Sequence, residues 1–149
     1  MTEVSYGGIF NNGSYQSFDE DDELNGAVVK PLDLGSAIYG SPYGVQLDSG
    51  QLLFSVEGFW LITASFRVNS DYAGKGHAYI GKSASVDITG QQSFEISNDA
   101  VWVSTSAIVK VAYGDHRSIF LEFDSSVTDY TVTVDSLTVA VARVGYGEE

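Results

Sequence analysis

Apolar and polar residues alternate most clearly between Gln51 and Val68, the densest apolar run of the chain. After Gly58, apolar residues recur at every second position, namely Trp60, Ile62, Ala64, Phe66 and Val68. A period of two is typical of a β-strand with one face in a core, and these residue types favour strands. A helix fits less well, because the run would be apolar all round at the helical period. The segment therefore predicts two strands joined at Glu57-Gly58.

Short apolar stretches separated by turn residues continue this pattern from Gly26 onward. Further strands are predicted at residues 27–29, 77–80, 86–88, 94–96, 101–113, 119–123, 130–134 and 137–144, with loops at 32–44 and 69–76. The last strand is apolar on nearly both faces, as a central strand would be, and Asp135-Ser136 shifts the phase of the alternation before it. Because strands follow one another without a helical segment, the pattern predicts an all-β sandwich or barrel.

The first 24 residues differ from the rest, because their aromatic residues are spaced among Gly, Asn and Ser without sustained alternation. A run of five acids, Asp19 to Glu23, follows, so a solvated tail is one interpretation. Aromatic residues are enriched at interfaces, which favours a second interpretation, an arm that docks on its own domain or on a neighbouring chain. We predict that residues 1–24 form such an arm, preceding a single domain of residues 25–149, and that its partner-binding residues are Tyr6, Phe10, Tyr15 and Phe18.

Charge and composition restrict the classes of partner. The 149 residues include 20 acids, 7 bases and no cysteine, which gives a formal net charge of -13 and excludes disulfides and thiol chemistry. Such a charge repels nucleic acid and anionic lipid, and the seven bases are scattered along the sequence. No basic-apolar leader and no apolar run of membrane-spanning length occurs, so we expect a soluble chain that is not exported by the secretory route.

Two sequence motifs suggest chemistry that their context does not support. Residues 76–83, GHAYIGKS, match the G-x-x-x-x-G-K-S pattern of a phosphate-binding loop. Such a loop needs a strand before it and a helix after it, whereas here the middle of the motif itself has strand character. The two histidines, His77 and His116, lie in unrelated contexts, and the sequence has no nucleophile elbow. Two histidines without cysteine are also too few ligands for a zinc site, which needs three or four nitrogen or sulfur ligands. We predict no catalytic residues.

The acidic run could offer oxygen ligands to calcium, but it does not fit a calcium-binding loop. Counted from Asp19, the sixth position of an EF-hand would be Leu24 instead of glycine, and the twelfth would be Lys30. A solvated acidic turn is the simpler interpretation. The 20 acids also fix no spacing between any two carboxylates, so a glycosidase pair is not indicated. We predict no metal, no cofactor and no enzymatic activity.

The order of the strongest features resembles a known fold family. Gly58-Phe59-Trp60 opens the main strand, and Gly114-Asp115 ends a long strand before another that ends at Phe123. This order is similar to that of the jelly-roll heads of the tumour necrosis factor and complement globular-head superfamily, in which a glycine and an aromatic open a core strand and a Gly-Asp turn precedes the penultimate strand. The similarity spans residues 45–144. It implies that residues 25–149 form an antiparallel jelly-roll sandwich (TNF-like) and, because those heads are tight trimers, a homotrimer.

The resemblance also directs the functional prediction. The collagen-like stalk and export signal of secreted members are absent, which argues against signalling of the complement or cytokine type. A short, acidic, cysteine-free chain is most similar to the jelly rolls that bacteriophages use as stand-alone capsid decoration proteins. We therefore predict a non-enzymatic cement protein on the outer capsid surface of a virion, made in the host cytoplasm, with the major capsid protein or another virion protein as partner.

An alternative prediction is a trimeric receptor- or glycan-binding head of a phage tail fibre or another surface adhesin. Aromatic residues in predicted loops could stack on sugar faces, and the candidates are Tyr39, Tyr43 and Tyr72. The absence of a long shaft sequence favours decoration over this alternative. An extracellular ligand of the cytokine type is a third class, supported only by the analogy of fold.

Overall fold

A computed structural model of the chain describes residues 6–19, 23–24, 27–31, 43–71, 73–83, 86–124 and 131–145. These residues form eleven strands: β1 Tyr6–Asp19, β2 Glu23–Leu24, β3 Ala27–Pro31, β4 Val45–Asp48, β5 Gln51–Phe54, β6 Gly58–Ser70, β7 Gly74–Gly81, β8 Thr89–Ile96, β9 Val101–Val111, β10 His116–Asp124 and β11 Thr131–Gly145. The part of the chain described contains no helix, and so none that could cross a membrane.

Two antiparallel sheets pack face to face. The first sheet has the strand order β1-β11-β6-β9. In the second, β10 pairs with β7 along one edge and with β3 and β5 along the other, while β2, β4 and β8 extend the sheet outward. Inward side chains of both sheets form one apolar core, including Trp60 and Phe66 from the first sheet and Leu52, Ile80 and Phe123 from the second. The predicted antiparallel all-β sandwich is confirmed.

The strand pair joined at Glu57-Gly58 is confirmed as β5 and β6. Side chains of β6 alternate between buried and more exposed over the whole strand, as the period of two predicts. Gly58 begins β6 opposite Val111, with a φ of 140°, in a region that side-chain-bearing residues rarely adopt. A Cβ at this position would clash with the carbonyl oxygen of Gly145 and approach Arg143 Nε to 2.9 Å. Glycine is therefore required where β6 meets the end of β11.

The closing strand β11 is central, as predicted, because it pairs with β1 on one edge and with β6 on the other. Its register on β6 shifts between Asp135 and Thr138, and Ser136 has a φ of 56°. This irregularity is a β-bulge, which inserts an unpaired residue and changes which side chains face the core. The predicted change of phase at Asp135-Ser136 is confirmed.

Strand formation differs from the prediction in several places. The loop predicted at 69–76 is shorter than expected, because β6 continues to Ser70 and β7 begins at Gly74. Residues 86–88 are not a strand, because the chain turns there: Lys82 N donates to Val86 O over 3.0 Å, and Asp87 has a φ of 55°. The strand β8 begins only at Thr89. Conversely, β1 was not predicted, since its glycines and asparagines interrupt the alternation. Backbone pairing with β11 makes β1 a strand, although the glycines and asparagines of β1 have a low strand propensity.

The first sheet thus begins inside the segment predicted to be an arm. Residues 6–19 pair by backbone with β11 of the same chain, so this part of the segment is an edge strand of the sandwich. The division into an arm at 1–24 and a jelly-roll domain at 25–149 stays a prediction. Residues 32–42 of the predicted loop lie outside the described residues.

Candidate interaction surface

The sheet β1-β11-β6-β9 has one face in the core and an opposite face, here called the outer face, that carries exposed apolar side chains. On β9, Trp102 is 65% exposed and Ile108 is 61% exposed, while Phe59 on β6 is 37% exposed. All three alternate with buried neighbours, so they project away from the core. Large apolar side chains grouped on one face of a sheet are more informative than single exposed ones, because such groups mark interaction sites.

Much of the outer face is shallow, because it consists of small polar and apolar residues. Leu61 lies opposite Ile108 on one side and Ala142 on the other. The next positions along β6 are Thr63, between Ser106 and Ala140, and Ser65, between Ser104 and Thr138. Short side chains at these positions leave a shallow surface beside Ile108 against which another backbone could pack closely.

Charged residues stand at both ends of this apolar region. Near Gly58, Lys110 Nζ lies 6.0 Å from the ring centre of Phe59, within the range of a cation-π contact. Further along β6, Arg67 Nε and Nη2 each donate to a carboxylate oxygen of Asp135 over 2.8 Å. Beyond this pair the face becomes polar. The outer face therefore carries an apolar patch of Phe59, Leu61, Ile108 and Ala142, with Lys110 at one end and the Arg67–Asp135 pair further along.

The Arg67–Asp135 pair leads to a prediction about pH. The hydrogen bond from Arg67 lowers the pKa of Asp135 below that of an ordinary aspartate; burial opposes this effect, and the positive charge of Arg67 adds to it. A carboxyl group whose pKa is lower in the folded state contributes stability above its unfolded pKa of about 4, and that contribution is lost as pH falls through the folded value. We expect Arg67→Met to raise the pKa of Asp135, measured by a carboxyl-carbon NMR titration.

An internal control for this titration is Asp115. Burial raises its pKa, but a hydrogen bond from the Ala112 amide and the charges of Lys82 and Arg117 outweigh burial, so the net pKa is lowered without any contribution from Arg67. The pKa of Asp115 should stay unchanged in Arg67→Met. An unchanged pKa at Asp135 would show that Arg67 is not what lowers it.

The backbone of β1 aligns three of the four predicted arm residues with the outer face. Tyr6 lies opposite Ala142, Phe10 opposite Thr138 and Tyr15 opposite Asp135, all outer-face positions of β11. Phe18 lies opposite Val132, which is buried in the core. The side chains of these four residues are outside the described part of the structure, and their contact with a partner stays a prediction.

Of the predicted glycan-binding tyrosines Tyr39, Tyr43 and Tyr72, the structure describes Tyr43. Tyr43 is 53% exposed, and the next residue, Gly44, accepts a hydrogen bond from Ser55 N close to the start of β6. Tyr39 and Tyr72 lie outside the described residues. Sugar binding by these tyrosines stays a prediction.

Tyr113 is an exposed aromatic residue that the sequence analysis did not single out. It is 80% exposed, in the turn before Gly114, whose amide donates to Phe54 O over 2.7 Å. That hydrogen bond places Tyr113 at the same end of the sandwich as Tyr43. Its position as the last residue of an alternating run, directly before a Gly-Asp turn, is the sequence signal that could have identified it.

A buried cation connects the two sheets beneath the Gly114-Asp115 turn. Arg117 on β10 is 3% exposed; it donates to Lys110 O on the edge strand β9 and to His116 O. Carboxylates of Asp87 and Asp115 lie 3.9 and 3.8 Å from its guanidinium nitrogens, and Lys82 pairs with both carboxylates. A buried cation is stable only with anions nearby, so this network explains why an acid, Asp115, follows Gly114 in the turn.

Residues weighed as catalytic or ligand-binding lie apart from one another. Residues 76–81 of the phosphate-loop match form strand β7, as predicted. His77 Nδ1 lies 2.9 Å from Ser93 Oγ, and His116 Nε2 lies 3.4 Å from Asp48 Oδ2. Within the described ranges, no group of three or more His, Cys, Asp or Glu side chains could hold a metal ion.

Comparison with known proteins supports the fold assignment. Neither a protein-family model nor a curated protein sequence matches the chain. Among solved structures, the Eiger TNF of S. frugiperda is similar with a TM-score of 0.65 and 9% sequence identity, over 99% of this chain and 97% of that one. Murine APRIL is similar with a TM-score of 0.60 and 7% identity, over 95% of this chain and 100% of that one. The chain therefore has the jelly-roll fold of tumour necrosis factor-like proteins.

Proposed function

We propose that the chain is a non-enzymatic structural protein that self-associates as a homotrimer and decorates the outer capsid surface of a virus, in the manner of a bacteriophage cement protein. The observation that carries the proposal is the exposed apolar patch on the outer face, formed around Phe59, Leu61 and Ile108. The fold is a second support, because its resemblance to trimeric heads implies three-fold association.

Self-association is supported by the composition of the patch. A chain with a net charge of -13 repels copies of itself at long range, so contact between copies must come from a surface with few acids and much apolar area. The outer face between Phe59 and Ser65 meets this requirement, since its described positions on β6, β9 and β11 carry no acid. Burial of apolar area stabilises association by roughly 25 cal/mol per Å² before the entropy of association is subtracted.

Capsid decoration is supported by the short acidic chain, the compact single fold and the aromatic residues of β1. Tyr6, Phe10 and Tyr15 recur along an edge strand, where they could meet a capsid as well as a neighbouring copy. Many weak contacts repeated over a shell add up through multivalency, so no single site needs high affinity. A rigid β-sandwich suits this role, because it presents its loops and edges without rearrangement.

The patch gives a direct prediction for association. We expect Ile108→Asp to weaken self-association at least about 100-fold, because a charge without a partner would be buried between copies. Ile108 is well exposed in one copy, so the fold should persist. Sedimentation velocity over a range of concentrations measures the effect, and Gln92→Asp, an exposed position of β8 in the other sheet, is the matched control. If both variants associate equally, the outer face is not part of the interface.

Capsid binding needs a separate test. Deleting residues 2–24 would remove β1 and expose the edge of β11, so loss of binding by that variant would be uninformative. We instead propose replacing Tyr6, Phe10 and Tyr15 together with serine, and mixing the protein with capsids prepared without it. Wild type and Tyr113→Ser should sediment with the capsids, whereas the triple variant should stay in the supernatant. Failure of wild-type trimers to sediment would contradict decoration, and binding by the triple variant would contradict the role of β1.

A further inference from the structure

Two adjoining depressions lie at the end of the sandwich where β6 ends and β11 begins. Their volumes are about 230 and 310 Å³, and they share Asp71 and Asn98. The larger is also lined by Asn69, Thr131 and Thr133, and the smaller by Ala73 and Ser97. The larger volume is at the lower limit of the range of about 300–1,000 Å³ for small-molecule sites, so a compact ligand would fit.

The polar groups of these depressions are held in place by hydrogen bonds. Asp71 Oδ1 accepts from Thr131 N over 2.8 Å, and Asp71 N donates to Thr131 O over 3.3 Å. Ser70 N donates to Ser97 O over 2.8 Å, which fixes the turn that carries Asn98. On the other side, the hydroxyl of Thr133 hydrogen-bonds to the side-chain oxygen of Asn69. Donors and acceptors from three chain segments are therefore already oriented, which reduces the entropy lost on binding.

The residue types of the site favour one chemical class of ligand. Its described residues offer amides, hydroxyls and one carboxylate, and none of them is Lys or Arg, so a phosphate or carboxylate ligand would form no ion pair with them and would be repelled by Asp71. Among the described residues that line it, Ala73 is the one apolar side chain, so these residues form no pocket for an apolar group. A ligand with several hydroxyl groups matches amides and carboxylates well, because each hydroxyl both donates and accepts hydrogen bonds.

We propose that this site binds a neutral saccharide, with Asn69, Asp71 and Asn98 as the residues that hydrogen-bond its hydroxyl groups. The site lies beyond the Arg67–Asp135 pair, at the polar end of the outer face and away from Ile108. Sugar recognition at this end would add a function to capsid decoration, and it belongs to the class predicted as the alternative role. It does not depend on self-association, because all its residues come from one copy.

An NMR titration tests the site. The full-length protein is titrated with methyl glucoside, methyl galactoside, methyl mannoside and N-acetylglucosamine, while amide shifts of residues 69–73, 97–99 and 131–133 are followed. At least one of these sugars should give saturable shifts confined to these residues. Asn98→Ala, a change at an exposed side chain, should weaken that binding about tenfold, the effect of losing one good hydrogen bond. Tyr43→Ala, at the other end of the sandwich, should leave it unchanged.

A charge control makes the test stricter. Glucuronate, which adds a carboxylate to the sugar ring, should bind at least about tenfold more weakly than methyl glucoside. Asp71→Asn keeps an acceptor for Thr131 N and should reduce that difference. The proposal is overturned if none of the four neutral sugars gives saturable shifts, if Asn98→Ala binds like wild type, or if glucuronate binds as well as the neutral sugars. Ile108→Asp should keep sugar binding, which separates this outcome from failure of the proposed self-association.

Discussion

Gly58→Ala is expected to lower the free energy of unfolding by about 3 kcal/mol or more. A φ of 140° is strained for alanine, which costs about 1–3 kcal/mol. The new Cβ would in addition clash with the carbonyl oxygen of Gly145 and crowd Arg143, whose Nη2 donates to Glu57 O over 2.6 Å. Backbone on both sides would have to move, so the junction between β6 and the end of β11 would open.

Gly114→Ala is the matched control for this prediction. Gly114 also has a positive φ, 88°, but a Cβ there would meet no atom within 4 Å. Only backbone strain remains, which costs about 1–2 kcal/mol. Urea denaturation of both variants measures the difference. If the two substitutions destabilise equally, the close approach of Gly145 to Gly58 does not matter in solution.

Trp60→Ala is expected to lower the free energy of unfolding by about 3–5 kcal/mol, the usual range for removing a large buried aromatic side chain. Trp60 has no exposed surface and packs edge-on against Phe54, with ring centres 5.0 Å apart. Its indole Nε1 donates to Val56 O over 3.1 Å and thereby holds the connection between β5 and β6. The substitution would leave a cavity in the core and an unpaired carbonyl in the connection between β5 and β6.

Trp60→Phe separates these two contributions. Phenylalanine keeps most of the apolar contact and removes the hydrogen bond to Val56, so a loss of about 1–2 kcal/mol is expected. Thermal unfolding followed by circular dichroism measures both variants. A loss below about 1 kcal/mol for Trp60→Ala would contradict the placement of this residue at the centre of the core.

Strands with one face in the core could be predicted from the sequence, because burial imposes the period of two on them. The alternation of β6 from Trp60 to Val68 and that of β9 from Val101 to Val111 match the buried positions of the structure. The central place of β11 was predictable for a related reason: a strand paired on both edges in a covered sheet needs apolar residues on nearly every position.

The candidate interaction surface could not be predicted, because it depends on pairing between distant segments. Arg67 and Asp135 are 68 residues apart in sequence, and Leu61 meets Ile108 and Ala142 only through the strand order. The period of two in β9 places Ile108 on the face opposite the core, but only the pairing with β6 and β11 brings Leu61 and Ala142 beside it. The strand β1 was missed for the same reason, because β11 provides its hydrogen bonds.

Native mass spectrometry of the wild-type chain is the most direct test of the central claim, that the outer face joins three copies. If the outer face joins three copies, the main species at micromolar concentration has three times the chain mass of 16.0 kDa, and Ile108→Asp converts it to single chains. A wild-type protein that stays at the mass of one chain at every concentration would contradict it.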